Sequence, residues 1–296
     1  MRAAVVTTFG GPEAVEIADV AVPEPGAGQV RIKVAAGAVN PVDLAVRAGV
    51  FGGAGRTLGL GWDVAGTVDA VGVAAAWQVG DAVVALAAGV ADPLGAHAEY
   101  VVVPADAVAK APATVDAVHA GTLPLNGLTA VQALDLLDLA PGASLLVTGA
   151  AGAVGGFAVQ LAAQRGIAVT GQARAVDEEL VRSLGAADFT ADGVAPGSVD
   201  AVLDAAMLGE PALEWVRDGG VFVGAQPGRQ PAPVRGVRTT AVEVSADGAR
   251  LAELVRLVDE GALTLRVAET YGLEEAAKAH ARLAEGGVRG RLVLVP

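Results

Sequence analysis

Between Asp138 and Arg165 the chain carries no charged residue, and at the centre of that run stands GAAGAVGG, Gly149–Gly156. An uncharged stretch this long fits a membrane span, a packed core hairpin, or a strand, turn and helix that hold a nucleotide. The period of the flanks separates these. SLLVTG (Ser144–Gly149) is a short β-favouring run, whereas FAVQLAAQ has helical spacing with Gln160 and Gln164 on one side. The five glycines between Leu145 and Gly166 would each cost a helix interior about 1 kcal/mol relative to alanine, which argues against a span. IAVTGQ (Ile167–Gln172) then supplies a second strand, completing a βαβ unit of about 30 residues.

A strand, a glycine turn and a helix are what a dinucleotide site requires, because a pyrophosphate sits on the free N–H groups of a helix N-terminus. The spacing is Gly149-x-x-Gly152-x-x-Gly155. Gly152 lets the backbone approach the phosphates, and Gly155 lets the helix pack close to the strand. Gly149, Ala151, Gly152, Ala153, Val154 and Gly155 are therefore the expected phosphate cradle. Small-residue turns are frequent in a chain rich in Ala and Gly, so it is the second strand that gives the motif its weight.

The tip of that second strand bears on cofactor choice. An acid about 20 residues after the turn would bind a ribose 2′-hydroxyl. Here the tip is GQARA, Gly171–Ala175, with one Arg and no acid; Asp177, Glu178 and Glu179 instead suit the first turn of the next helix. Arg174 is placed to meet a 2′-phosphate, so NADPH is expected over NADH. The alternative for Arg174 is a solvated surface residue.

Composition narrows the remaining classes. The 296 residues are 53% hydrophobic, with a formal net charge of −13 and no cysteine. That is a folded chain. It lacks the basic surface that nucleic acid needs, and it has neither disulfides nor thiolate metal sites. His97, His119 and His280 stand far apart without ligand spacing and are expected to be structural or surface imidazoles. Gly10, Gly11, Pro12 and Glu13 break the first apolar run too early for a signal peptide, so a cytoplasmic chain with no membrane segment is expected.

Further short strands, VDAVLDAA (199–206), GGVFVGA (219–225) and RTTAVEV (238–244), flank a helical EPALEWV and precede an amphipathic helix over Asp247–Gly261. Residues 116–261 are expected to form a Rossmann domain with a doubly wound parallel sheet. Residues 1–115, with close-set strands broken by Pro and Gly, and the returning tail 262–296 are expected to form a β-rich domain. The expected class is α/β.

Taken in order, FGGPEAVEI, AVNPVDLAVRAG, LGWDVAGTV, VGDAVVAL, AEYVVVPAD, LPLNGLTAVQAL, VTGAAGAVG and LEEAAKAHARLAEGGVRGRLVLV resemble the zinc-free, quinone-oxidoreductase-like branch of the medium-chain dehydrogenases/reductases. The resemblance covers nearly the whole chain and implies a GroES-like catalytic domain beside the Rossmann domain. Zinc-dependent relatives place Cys, His and Cys where this chain has Asn40, Trp62 and Leu125, so no zinc is expected. It also implies that Thr129 and Asn126 contact the cofactor near the nicotinamide, that Gly224 belongs to the cofactor-binding set, and that Asn40 is an active-site amide acting on cofactor or substrate. From its own sequence, Asn40 equally suits a turn before Pro41. Asp43 and Asp63 recur in the family motif and are read as pinning loops. Phe51 and Trp62 are candidate walls of the substrate pocket, a core role being the alternative. Ala45 and Phe51 replace tyrosines of some relatives, and no general acid is identifiable.

Without zinc, the expected substrate is a quinone or another conjugated carbonyl, reduced by hydride from NADPH. An enoyl reductase acting on a polyketide-type intermediate is the alternative within enzymes, and a cofactor-binding protein with little turnover the alternative outside them. A homodimer through the Arg238–Val244 edge is expected, because an unpaired edge invites pairing.

Overall fold

Runs rich in Val and Leu, such as SLLVT and VDAVLD, suit the interior of a sheet covered on both sides. In the computed structural model, which describes residues 1–89 and 93–296, these runs are the two central strands of a six-stranded sheet. Its order is Asp188–Thr190, Ala168–Gln172, Ser144–Thr148, Val199–Asp204, Val216–Gly224 and Arg238–Ala241, with every pairing parallel. The chain starts at Ser144–Thr148, builds outward to one side, then returns and builds to the other, so this strand is the topological switch point. The register lines up Gln172, Thr148, Asp204, Gly224 and Ala241 along the carboxyl edge of the sheet. The helix Ala153–Gln164 connects the first two strands in sequence, and its Phe157, Val159 and Leu161 are buried. This is the doubly wound α/β arrangement that the sequence predicts.

The sheet belongs to a compact unit made of Asn126–Val244 and Ala262–Thr264. The other unit, Met1–Leu125 with Ser245–Gly261 and Leu265–Pro296, is β-rich and draws on both ends of the chain. Its larger sheet runs Val267–Gly272, Arg291–Val295, Gln29–Ala38, Asp63–Val71, Ala82–Leu86, Val108–Lys110, with Tyr100–Pro104 also paired to Gln29–Ala38. Its smaller sheet joins Glu16–Asp19, Arg2–Val6 and Leu58–Gly59. Val30, Ile32, Val64, Val68, Val83 and Val101 fill one core of this unit. Val6, Leu58, Leu60, Leu273 and Leu294 fill a second.

These bounds differ from the expected 116–261 at both margins. The helix Gly248–Asp259 is amphipathic as predicted, with Leu251, Leu254, Val255 and Val258 buried, but it packs on Val108–Lys110 of the β-rich unit. Asp259 fastens it there by accepting from the Ala113 N–H at 2.8 Å, the Thr114 N–H at 3.0 Å and the Thr114 hydroxyl at 2.9 Å. In the opposite sense, Ala262–Thr264 is drawn to the Rossmann unit by the two glutamines noted on the helix. Gln160 Oε1 accepts from the Thr264 N–H, and Gln164 donates to the Ala262 carbonyl, each at 2.7 Å. The helix predicted around Trp215 covers only Glu210–Leu213, and Trp215 lies beyond its end.

Candidate functional site

The glycine turn sits at the carboxyl end of Ser144–Thr148. A Cβ on Gly155 would fall 2.2 Å from the Gly149 carbonyl oxygen and 3.0 Å from Ala150 Cα, both backbone atoms. Only glycine permits the helix to start this close to the turn. Gly152 is the N-cap of the helix Ala153–Gln164, and no side chain caps it. The first-turn amides of Ala153, Val154 and Gly155 have no carbonyl one turn earlier within the helix to bond. They form, with the dipole of a twelve-residue helix, a cradle for a phosphate-sized anion.

Across the switch point a second network shapes the same edge, and it is one that sequence reasoning missed. Thr148 donates its hydroxyl to Asp204 Oδ1 at 2.6 Å and accepts from the Ala206 N–H at 2.9 Å. Asp204 also accepts from the Leu208 N–H at 3.1 Å and the Gly209 N–H at 2.8 Å. This buried carboxylate therefore ties down the loop after its strand, in which Met207 is held at φ 59°. Such a left-handed conformation is uncommon for a residue with a side chain. An acid closing a strand and followed by small residues, DAAMLG, was the available signal.

Gly224, placed among the cofactor-binding positions from sequence, lines a cavity of about 380 Å³ with Asp204, Met207, Gly209, Phe222, Ala225, Gln226 and Arg229. Asn126 and Thr129 are buried and stand three residues apart on the helix Pro124–Leu137, so they share a face. Arg174 lies at the tip of Ala168–Gln172 as expected, with 62% of its side chain exposed and Asp177 Oδ2 3.5 Å from its Nε.

The β-rich unit gathers Asn40, Asp43, Asp63 and Arg291 into one buried cluster. Asn40 is wholly buried, and its Nδ2 donates to the Ala38 carbonyl at 3.0 Å and to Asp63 Oδ2 at 2.7 Å. Its Oδ1 accepts from Arg291, which also donates to the Val39 carbonyl at 2.7 Å. The amide thus ties Ala38, Asp63 and Arg291 together, which gives Asn40 a positioning role within this unit. Asn40 is also the N-cap of the helix Pro41–Arg47, where Asp43 accepts from its backbone N–H at 2.8 Å. The other oxygen of Asp43 accepts from the Gly61 N–H at 2.9 Å, and Asp63 Oδ1 accepts from the Leu125 N–H at 2.7 Å. Both acids do pin loops. Burial pushes the Asp63 carboxyl up to about 6 against the opposing pull of Arg291, and burial raises Asp43 as well. Phe51 is 48% exposed and Trp62 half-buried.

His97 and His280 are both buried, with ring centroids 6.2 Å apart in an edge-to-face pair; His119 is half-buried and bonded to Asp116. Among the described residues no group of three or more His, Cys, Asp or Glu could hold a metal ion, and no helix is long and apolar enough to cross a membrane.

A β-rich unit built from both chain ends, and a Rossmann unit with a phosphate cradle at its switch point, define a two-unit nucleotide-dependent oxidoreductase. Sequence comparison agrees. An alcohol dehydrogenase GroES-like domain model matches residues 26–113, and a zinc-binding dehydrogenase model matches residues 176–294. A quinone oxidoreductase of Pseudomonas aeruginosa is 31% identical over 97% of both chains. The 2-methylene-furan-3-one reductase of Solanum lycopersicum is 30% identical over all of this chain and 79% of its own. A mycobacterial protein solved in complex with NADPH superposes with a TM-score of 0.84 at 28% identity, covering 100% of each chain. The chain belongs to the medium-chain dehydrogenase/reductase superfamily, in its quinone-oxidoreductase-like branch.

Proposed function

We propose that the protein is an NADPH-dependent, zinc-independent reductase that delivers hydride to a quinone or another conjugated carbonyl. The observation that carries this reading is the uncapped helix start at Gly152, set by the Gly155 contact at the sheet's switch point. The cradle fits a dinucleotide pyrophosphate, since it offers converging amides and no carboxylate. Arg174 offers its exposed guanidinium to a 2′-phosphate, and the NADPH-bound relative supports that choice. The named activities of the two enzyme relatives, on a quinone and on an enone, support the substrate class.

When bound, the nicotinamide supplies the hydride. The chain's own residues bind and orient. Ala153, Val154 and Gly155 hold the pyrophosphate, and Asp204 with Thr148 fixes the loop at the same edge. Zinc independence is supported by the donor set: the side chains of Trp62 and Leu125 have no ligand atom, and the Asn40 amide is bonded to Asp63, Ala38 and Arg291. A conjugated acceptor suits such a site, because charge spreads onto an oxygen that hydrogen-bond donors can stabilise, and a solvent proton balances the reduction. A homodimer is part of the same proposal, with Arg238–Ala241 as the last strand of its sheet and an edge able to pair with its copy.

The test is a thermal-shift comparison of NADPH with NADH, followed by a quinone and enone panel. A ligand at 100 times its Kd adds about 2.7 kcal/mol of stability. NADPH is expected to give the larger shift, and Arg174→Ala to erase the difference. Equal shifts in the wild type would refute the 2′-phosphate assignment. NADPH binding with no oxidation by any acceptor would refute the reductase.

A further inference from the structure

The sequence after the strand Val216–Gly224 continues AQPGR. Its Pro227 and Gly228, with Gly228 at φ 75° and the Arg229 N–H bonded to the Gln226 carbonyl at 3.3 Å, form a tight turn of the kind that needs Pro then Gly at its centre. Such a turn brings its first and last residues together, here an amide and a guanidinium. Both side chains line the 380 Å³ cavity at the carboxyl edge.

Arg229 is exposed, and no carboxylate lies within ion-pair distance of it among the described residues. That is notable in a chain with 33 acids and 20 Lys and Arg, where most surface arginines have found a carboxylate. The only acid lining the cavity is Asp204, whose oxygens are already taken by Thr148, Leu208 and Gly209. Met207 and Phe222 add apolar surface to the same wall. A positively charged fork beside an apolar wall matches an organic molecule bearing an oxyanion, since guanidinium binds carboxylate and phosphate with paired N–H groups.

We infer that the Gln226–Arg229 turn is a recognition element for an oxyanion, carboxylate or phosphate, on the ligand bound at this edge. The oxyanion belongs to the substrate or to the cofactor, and the inference rests on the proposed reductase reading only for the choice of reactive probe.

The test compares wild type with Arg229→Gln and Arg229→Lys, using benzalacetone and its para-carboxylate as neutral and anionic enones. With the oxyanion on the substrate, Arg229→Gln lowers kcat/KM for the carboxylate by roughly tenfold to a hundredfold, the range of a lost charge-assisted hydrogen bond. The neutral enone and the Kd for NADPH stay within about twofold, and Arg229→Lys keeps part of the preference. With the oxyanion on the cofactor, Arg229→Gln weakens NADPH binding by a similar factor and leaves the ratio of the two enones unchanged. A variant that alters neither NADPH binding nor that ratio overturns the inference. If wild type reduces neither enone, the reductase reading fails first. The turn is then judged by thermal protection from the unreactive para-carboxylate of benzylacetone and from NADPH. Protection by either that is lost in Arg229→Gln supports it, and no protection, or protection equal in both proteins, overturns it.

Discussion

His280 offers the sharpest physical test of the buried architecture. It lies on the helix Ala276–Ala284, fully buried, and neither ring nitrogen has a hydrogen-bond partner among the described residues. Burial, with lesser repulsion from His97 and Arg47, pushes its imidazole down from 6.5 to about 3. The unfolded chain therefore takes up this proton at a higher pH than the folded chain does. Stability from this group is complete above 6.5 and is lost as pH falls toward 3. From pH 7 to pH 5 the loss amounts to about 2 kcal/mol. Asp63 acts in the opposite sense. Its folded value is raised from 3.8 to about 6, so the folded state gains roughly 1 kcal/mol over the same interval. A wild-type titration alone would report only the difference of the two. The perturbation is therefore His280→Leu, similar in volume and without a proton to bind. Urea unfolding of both proteins at pH 7 and pH 5 should show the stability difference moving by about 2 kcal/mol in favour of the variant on acidification. At pH 7 the variant should be at least as stable as wild type, because no hydrogen bond to another residue is lost. Equal pH responses in the two proteins would refute the desolvated imidazole.

Gly155→Ala drives a Cβ to 2.2 Å from the Gly149 carbonyl oxygen; it should cost roughly 1–3 kcal/mol and abolish the NADPH-induced thermal shift. Persistence of that shift would place the phosphate elsewhere. Asp259→Ala removes the acceptor of three hydrogen bonds to Ala113 and Thr114; because the site is exposed, a loss of only about 1 kcal/mol in denaturant unfolding is expected. NADPH affinity should be unchanged in this variant, since the helix belongs to the β-rich unit.

The parts of the fold legible in the sequence are those set by local geometry. Gly149, Gly152 and Gly155 each meet a steric demand within a few residues, so their spacing states the turn. Helix Gly248–Asp259 shows the limit of the same logic. Its apolar positions announce one buried face, but a periodic face does not say which surface covers it. The partner, Val108–Lys110, lies well over a hundred residues earlier. Leu251, Leu254, Val255 and Val258 would look the same if they packed on the parallel sheet.

The candidate site divides along the same line. Arg174 follows the strand Ala168–Gln172 closely, and a strand tip is a local feature that a sequence can show. The fate of Asn40 depends on Arg291, 251 residues away, and on Asp63, neither of which a local motif can locate. Yet the type of residue at position 40 had already limited what could happen there. An amide offers two hydrogens and an acceptor oxygen, and here Ala38, Asp63 and Arg291 engage all three atoms. A metal-binding cysteine at this place would instead need its sulfur exposed to the ion. The chain thus has at position 40 an amide held by a buried carboxylate and a buried arginine. In the proposed reaction, what this cluster contributes is the rigidity of its own unit. Substitutions at Asp63 or Arg291 should consequently affect folding and turnover together, whereas those at Arg174 or Arg229 should separate the two.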